Sequence, residues 1–128
     1  MKVKNIPSLL AAAKADKTMN RKVAFVTGDE SSSLYIIELS PKEFLPAHYH
    51  KKGIEIYYIL SGEASISYRN CNEKDKGKTI TRKLSAGDAI SIYPDVIHQI
   101  TNTSENALQV LGTAPQSHNS TDRFFVEG

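Results

Sequence analysis

Two histidines separated by one residue, His48 and His50, are the strongest chemical feature of the sequence. Side chains of a β-strand repeat on one face at every second residue, so both imidazoles of a His-x-His would point the same way. A carboxylate follows at Glu55, and an apolar run then ends at Gly62. Imidazoles and carboxylates are ligands that transition metals accept. The spacing therefore predicts part of a metal site.

Two further histidines are available to complete such a site. His98 lies in the strand-like segment Ile97–Thr101, which the fold could bring alongside the first pair. His118 lies in a polar segment, residues 116–121, that is typical of a loop. We interpret His118 as a mobile surface histidine, with a lid over the site as the alternative. His98 is the predicted fourth ligand.

The order and spacing of these residues resemble the two motifs of the cupin superfamily. The first motif is carried by His48, His50, Glu55 and Gly62, and the second by Gly87, Asp88, His98 and Asn102. The resemblance covers roughly residues 34–115. It implies a small β-barrel of jelly-roll type in which His48, His50, Glu55 and His98 bind one divalent metal inside the barrel.

The chain departs from the family pattern at two turns. Lys42 stands where the family usually has a glycine before the first histidine, and Asp95 stands where a glycine is expected before His98. Pro94 is displaced by one position, although the distance from Gly87 to His98 is that of the family. These departures leave open the conformation of the turns, while the candidate ligands keep their places.

The predicted ligands are nitrogen and oxygen donors without a thiolate. Such a set suits Mn, Fe, Co, Ni, Zn or Cu and disfavours Ca or Mg, so the expected cofactor is one divalent transition metal of unspecified identity. Four protein ligands leave positions open for water, oxygen or a chelating substrate. Because imidazoles bind metal only when neutral, affinity should fall as the pH drops through about 6.5.

Two polar residues beyond the ligands are candidates for contact with a substrate. Tyr57 shares the strand parity of Glu55, so its phenol would point toward the metal and could orient a substrate or transfer a proton. The alternative is an inward aromatic side chain that fills the barrel. Gln109 interrupts the apolar strand Ala107–Leu111 and is a predicted substrate contact, with a solvated amide on an edge strand as the alternative.

These features favour a metal-dependent enzyme that acts on a small oxygenated metabolite such as a sugar or organic acid. Isomerase, epimerase or lyase chemistry competes with an iron-dependent dioxygenase reaction. A non-catalytic metal-binding cupin that holds a small ligand is the alternative, because one scaffold of this kind hosts many functions.

The elements that must position these residues are mostly strands. We expect a short N-terminal helix at about residues 6–15, and a barrel core at about residues 23–115 of a single domain spanning residues 1–128. The predicted strands are Val23–Thr27, Leu34–Leu39, Ala47–His50, Ile54–Leu60, Glu63–Tyr68, Thr79–Leu84, Ala89–Tyr93, Ile97–Thr101, Ala107–Leu111 and Arg123–Val126. Many short strands at this spacing predict an all-β fold.

The segment Ile54–Leu60 is apolar on both faces of its predicted strand. A strand in a sheet with one solvated face would alternate more cleanly, so we expect both faces to be covered. One face would line the barrel, and the other would meet the N-terminal helix or a second subunit. This pattern favours a homodimer.

The composition bounds the remaining partners. The 128 residues carry 16 basic and 14 acidic side chains in scattered positions, so no basic stripe suggests nucleic acid. No apolar run approaches the roughly 20 residues of a membrane span, and the N-terminus lacks the apolar core of a secretory signal. The single cysteine, Cys71, cannot form an intramolecular disulfide and is interpreted as a loop thiol. A cytoplasmic protein that binds a small molecule is expected, without membrane or nucleic-acid partners.

Overall fold

Two five-stranded antiparallel sheets face each other in this protein. The computed structural model describes residues 1–13, 21–71 and 78–126. The strands are β1 (Arg21–Gly28), β2 (Ser33–Leu39), β3 (His48–Tyr49), β4 (Glu55–Ser61), β5 (Glu63–Asn70), β6 (Ile80–Ser85), β7 (Ala89–Ile92), β8 (Val96–Asn102), β9 (Leu108–Ala114) and β10 (Phe124–Phe125). The strand orders are β1-β2-β9-β4-β7 and β10-β3-β8-β5-β6.

The core lies between the inward faces of the two sheets. Burial alternates along β4 and β9, as expected for strands with one inward and one outward face. Apolar side chains from both sheets form one cluster, to which β2 contributes Tyr35 and Ile37, β4 contributes Tyr57 and Ile59, and β8 contributes Ile100. Burying this much apolar surface is the main favourable term in folding.

The fold class predicted from the sequence is confirmed, with one correction. The chain passes repeatedly from one sheet to the other, which is the jelly-roll arrangement. Within the described residues, however, no ladder of hydrogen bonds joins the two sheets, so they form a sandwich that is not closed into a barrel. The sheets are linked at one side by the short turn between β6 and β7, where Gly87 N donates to Ile59 O.

The helix α1 (Ile6–Ala12) begins at Asn5, whose side chain accepts a hydrogen bond from Ser8 N at 2.9 Å. The apolar side of α1 packs on the outer face of β1 and β2, where Leu10, Val26 and Ile36 form a second cluster. The last residues of the predicted helix, 14 and 15, lie outside the described residues. No helix in the described part of the chain is long and apolar enough to cross a membrane.

The two turns that depart from the cupin pattern keep a backbone conformation that favours glycine. Lys42 has a φ of 70° and Asp95 a φ of 66°, both in the left-handed region. An L-residue other than glycine pays about 1–2 kcal/mol there, with Asp among the better-tolerated types. The Asp95 amide donates to His50 O at 2.8 Å, so this turn is tied to the neighbourhood of the predicted ligands.

The outer face of β4 is left exposed. Ile56, Tyr58 and Leu60 are 37%, 41% and 40% accessible, and Ile54 just before the strand is 40% accessible. The helix α1 covers β1 and β2 instead. The expectation that the N-terminal helix covers this face is therefore wrong, and cover by a second subunit stays a prediction.

Candidate metal centre

The four predicted ligands come together from both sheets. His48 on β3 lies directly opposite His98 on β8, while Glu55 begins β4 in the other sheet. All four side chains are buried, with accessibilities of 6% for His48, 3% for His50, 2% for Glu55 and 1% for His98. One ligand atom from each lies within 4.8 Å of the other three. These residues could hold a metal ion.

Backbone carbonyls fix the orientation of the three imidazoles. The Nδ1 atoms of His48 and His98 lie 2.7 Å from Pro46 O and 2.9 Å from Val96 O. The Nδ1 atom of His50 bonds to Asp122 O. A carbonyl oxygen only accepts hydrogen bonds, so each Nδ1 carries the proton. In a neutral imidazole this leaves the lone pair on Nε2, directed toward the centre of the site.

This arrangement fits a cation. The Nε2 atoms of His98 and His50 lie 3.1 Å and 3.5 Å from Glu55 Oε1. With Nδ1 protonated, these contacts bring lone pairs against a carboxylate, and His50 Nε2 is buried without a hydrogen-bond partner. A buried nitrogen lone pair that faces a carboxylate costs free energy unless a proton or a metal ion lies between the two acceptors. Three imidazole nitrogens and one carboxylate oxygen suit a divalent transition metal.

The protonation states favour metal binding. Burial and the neighbouring imidazole of His98 lower the pKa of His48 to about 3, so this ligand is neutral near pH 7. Burial opposes ionisation of Glu55, but the imidazoles of His118, His50 and His98 outweigh it and hold the pKa of the carboxyl well below its usual range. The site therefore presents a buried carboxylate beside a neutral His48.

Tyr35 supports Glu55 from the neighbouring part of the sheet. Its hydroxyl donates a hydrogen bond to Glu55 Oε2, which leaves Oε1 facing the imidazoles. Gly112 lies opposite Tyr35 in the β2–β9 ladder, and a Cβ added at Gly112 would lie 2.2 Å from Tyr35 Cζ. Only glycine leaves room for the tyrosine ring to cross β9 and reach the carboxylate.

Tyr57 lies where the strand parity predicted, on the inward face of β4 beside Glu55. Its side chain is 1% accessible, and its ring centroid lies 6.0 Å from that of His98. Burial and the nearby Glu55 carboxylate raise the pKa of Tyr57 well above its ordinary value. The phenol is therefore protonated near pH 7 and can donate a hydrogen bond.

Gln109 is not brought to the site. It lies on the outward face of β9, between the inward residues Leu108 and Val110. Its amide bonds to Glu38 and Ser61, with Nε2 donating to Glu38 Oε2 at 3.0 Å. The position of Gln109 gives no support to the predicted substrate contact, because the pleat of β9 turns its side chain away from the four ligands.

His118 is buried at the site, and its interpretation as a surface histidine is wrong. The residue lies in a short 3-10 turn, Gln116–Asn119, and is 1% accessible. Its ring stacks on His50 with a centroid distance of 3.9 Å and an interplanar angle of 4°. His118 Nδ1 lies 3.9 Å from Glu55 Oε2, too far for a hydrogen bond, and is buried without a partner.

The segment after β9 holds His118 and His50 in place. His118 Nε2 bonds to Lys52 O, and the Asp122 carboxylate accepts hydrogen bonds from the amides of Lys51 and Lys52. Asp122 O in turn accepts the bond from His50. Little in the sequence indicates this arrangement, because a 3-10 turn has no hydrophobic period. The spacing of His118 and Asp122, four residues apart, is the one local signal.

Residues 35–113 match the family model described as a cupin domain. The match includes both histidine motifs and spans more than half of the chain. This chain is a cupin. The four residues that the cupin motifs imply as metal ligands are thus the same four that meet between the sheets.

Solved structures with the same fold include chains of different lengths. An uncharacterised protein with a double-stranded β-helix domain from Klebsiella pneumoniae aligns with all of this cupin and 99% of its own chain, with 19% identity and a TM-score of 0.73. The oxalate decarboxylase of Lactobacillus farciminis, solved as a formate complex, aligns with 91% of this chain and 34% of its own, with 21% identity and a TM-score of 0.71. These similarities show the shared fold.

Among curated proteins, the DNA mismatch repair protein MutS of Methanothrix thermoacetophila is 25% identical over 101 residues. The alignment covers 77% of this cupin but 12% of the MutS chain. The cupin therefore spans a small part of that relative.

Proposed function

We propose that this cupin binds one divalent transition metal through His48, His50, Glu55 and His98, and that it is an enzyme acting on a small oxygenated metabolite. An organic acid or a sugar is the substrate class. The formate complex of the structurally similar oxalate decarboxylase supports a small carboxylate as one form of that substrate. Redox-neutral isomerase, epimerase or lyase chemistry and an iron-dependent dioxygenase reaction are the two branches of the proposal.

One observation carries the proposal. Three Nε2 lone pairs, each fixed by a carbonyl bond at Nδ1, converge on one buried carboxylate. The site cannot instead pack as an ordinary apolar core, because the imidazole nitrogens and the carboxylate oxygen are already buried and directed inward. A divalent cation offsets both the charge of Glu55 and the mutual repulsion of the acceptors.

The chain's own residues have separable roles at such a centre. A bound transition metal supplies Lewis acidity toward an oxygen ligand and lowers the pKa of water. Tyr35 holds Oε2 of Glu55, which orients Oε1. Tyr57, protonated and buried, donates a hydrogen bond from its hydroxyl to a substrate oxygen. His118 closes the side of the site next to His50 and excludes water from it.

A non-catalytic binding protein is the alternative, and the two phenols favour it. Burial raises the pKa values of Tyr35 and Tyr57, and the Glu55 charge adds to both shifts. Neither phenol can act as a base near neutral pH. A centre that binds a ligand without transforming it needs no such base.

The test begins with elemental analysis of protein purified without chelator or added metal. We expect close to one transition-metal ion per chain in the wild type and less than a tenth of that in His98→Ala. Oxygen uptake by the iron(II)-loaded protein with candidate organic acids then separates the branches. Turnover with zinc or manganese and no oxygen uptake would eliminate the dioxygenase branch. Ligand binding that persists unchanged in metal-free protein, without turnover, would favour the alternative.

A second copy of the chain is the proposed cover for the outer face of β4. Three apolar side chains in a row, Ile56, Tyr58 and Leu60, with Ile54 before them, form an exposed patch next to the area that α1 covers. Patches of this kind are typical of interaction sites. The cytoplasmic location expected from the sequence stays a prediction.

A further inference from the structure

A cavity lies on the side of the sandwich where the edges of β6 and β7 face each other. Its volume is about 400 Å³, within the range of pockets that hold small ligands. Half of the residues that line it carry branched aliphatic side chains: Ile66, Leu84, Ile90, Ile92 and Val96. Among the described strands the two sheets do not close into a barrel at this edge, which leaves the gap.

The cavity adjoins the candidate metal centre. Ile92 in its wall lies directly opposite Glu55 in the β4–β7 ladder, and Tyr68 in its wall lies directly opposite His98 in the β5–β8 ladder. The Cβ atoms of directly opposite residues are about 4.5–5.5 Å apart and point to the same face. Two of the four candidate ligands are therefore immediate neighbours of the cavity wall.

In the described part of the chain, one cationic side chain, the exposed Arg82, lies at the rim of the cavity. Arg82 lies opposite Ile66 in the β5–β6 ladder, and its Nε donates a hydrogen bond to the Tyr68 hydroxyl at 2.9 Å. This bond fixes the guanidinium through Nε, so the two Nη groups can meet a carboxylate in the bidentate manner typical of arginine. Among the described residues that line the cavity, Arg82 is the only one with a charge near neutral pH.

We propose that this cavity binds a carboxylic acid with an apolar body, its carboxylate on Arg82 and its other end toward the metal centre. The inference rests on the proposed metal-dependent function and narrows its substrate class. Aliphatic walls stabilise a hydrocarbon body by burying it, whereas the hydroxyls of a sugar would lose hydrogen bonds to water without replacement. An apolar monocarboxylate therefore fits this cavity better than a sugar does.

Calorimetric titration with hexanoate, benzoate, hexan-1-ol and glucose tests the inference on metal-loaded and metal-free protein. We expect both carboxylates to bind at least tenfold more tightly than hexan-1-ol, and glucose to give no measurable heat. Arg82→Gln should weaken hexanoate binding about tenfold and leave hexan-1-ol binding unchanged. Lys83→Gln is the matched control, because this substitution also removes one positive charge. Lys83 is the next residue on β6 and faces away from the core. Lys83→Gln should leave hexanoate binding unchanged.

A second variant tests the cavity without relying on charge. Ile90→Trp should fill the space and abolish hexanoate binding while the metal content stays at the wild-type value. Equal weakening by Lys83→Gln and Arg82→Gln, tighter binding of glucose than of hexanoate, or unchanged binding in Ile90→Trp would each overturn the inference. Metal analysis separates the two failures. If the purified protein holds no metal but binds the carboxylates, the proposed function alone is refuted. If it holds the metal but binds no carboxylate, the inference about the cavity alone is refuted.

Discussion

The two faces of β4 show the same strand in two chemical environments. On the inward face, Glu55, Tyr57 and Ile59 are 2%, 1% and 0% accessible. On the outward face, Ile56 and Tyr58 are 37% and 41% accessible. The inward carboxylate is surrounded by three imidazoles and a phenol, while the outward side chains meet solvent.

Hydrophobicity alone therefore does not locate the functional face of the strand. Both faces are rich in Ile and Tyr, yet only the inward face brings ionisable groups into a region where each must find a partner. Burial makes an unpaired Glu55 costly, and that cost is what a metal ion removes. The outward tyrosine has no comparable demand. Matched substitutions on the inward and outward faces test this difference.

The largest effect is expected at the inward carboxylate. Glu55→Gln keeps the size of the side chain but removes the negative ligand, so metal affinity should fall by roughly 100-fold or more. In metal-free protein the same change removes a carboxylate whose pKa the fold holds well below its usual range, so the free energy of unfolding near pH 7 should decrease. Competition with a metal chelator and urea unfolding measure the two quantities. Tyr58→Ser, on the outward face, is the control that should retain the metal. Unchanged affinity in Glu55→Gln would contradict the ligand assignment.

The next effect concerns the phenol behind the carboxylate. Tyr35→Phe removes the hydrogen bond to Glu55 Oε2 and should weaken metal binding by about 10- to 100-fold, since groups that orient ligands contribute this much. Tyr58→Phe makes the same chemical change on the outward face and should leave affinity within twofold. The chelator assay compares the two directly. Equal losses in both variants would argue against the role of Tyr35.

Acid should lower the stability of the metal-free protein through the buried His48. In the metal-free fold, burial lowers the pKa of His48 to about 3 from 6.5, so His48 stays neutral while the unfolded chain takes up a proton. The unfolded state binds more protons between these values, and stability therefore falls as the pH drops from 6.5 toward 3. The contribution is up to about 1.4 kcal/mol per pH unit for this one proton.

Urea unfolding of metal-free protein at several pH values measures that slope. The raised pKa of His118 acts in the opposite direction, contributing stability below 6.5 that is lost as the pH rises through its folded value. A comparison of wild type with His48→Gln, with His118 present in both, isolates the His48 contribution. The variant should show a shallower decline between pH 6.5 and 3. Parallel curves would mean that His48 is protonated in the fold.

The smallest effect on the fold itself is expected from the outward face. Ile56→Lys combined with Tyr58→Lys should leave metal content unchanged and alter the free energy of unfolding of the isolated chain by about 0.5 kcal/mol or less per site. The same variant should convert a dimer to a monomer in sedimentation velocity experiments. A wild-type chain that sediments as a monomer at all concentrations would contradict the proposed second copy.

The ligands could be predicted from sequence because their positions follow simple rules. A His-x-His in a strand places both rings on one side, and the second motif supplies His98 at a fixed distance from Gly87. Tyr57 followed from the same parity with Glu55. In each case a two-residue period was sufficient to decide the direction of the side chain.

Other parts of the site have no such rule. His118 is positioned by a 3-10 turn and by backbone bonds to Lys52, neither of which leaves a period in the sequence. Tyr35 could not be oriented because β2 is apolar on both faces, one toward the core and one toward α1. The direction of Gln109 depends on the pleat of β9, which a single polar residue in the sequence does not reveal.

The left-handed backbone at Lys42 offers a route to a more heat-resistant form of the protein. Glycine there would relieve about 1–2 kcal/mol of steric strain and give back roughly 0.5–1 kcal/mol as extra freedom of the unfolded chain. The Lys42 amide bonds to Asn102 O, a contact that glycine preserves. At Asp95 the steric gain is smaller, because Asp tolerates the left-handed region better than Lys does, so the two positions that depart from the family pattern are not equivalent for engineering.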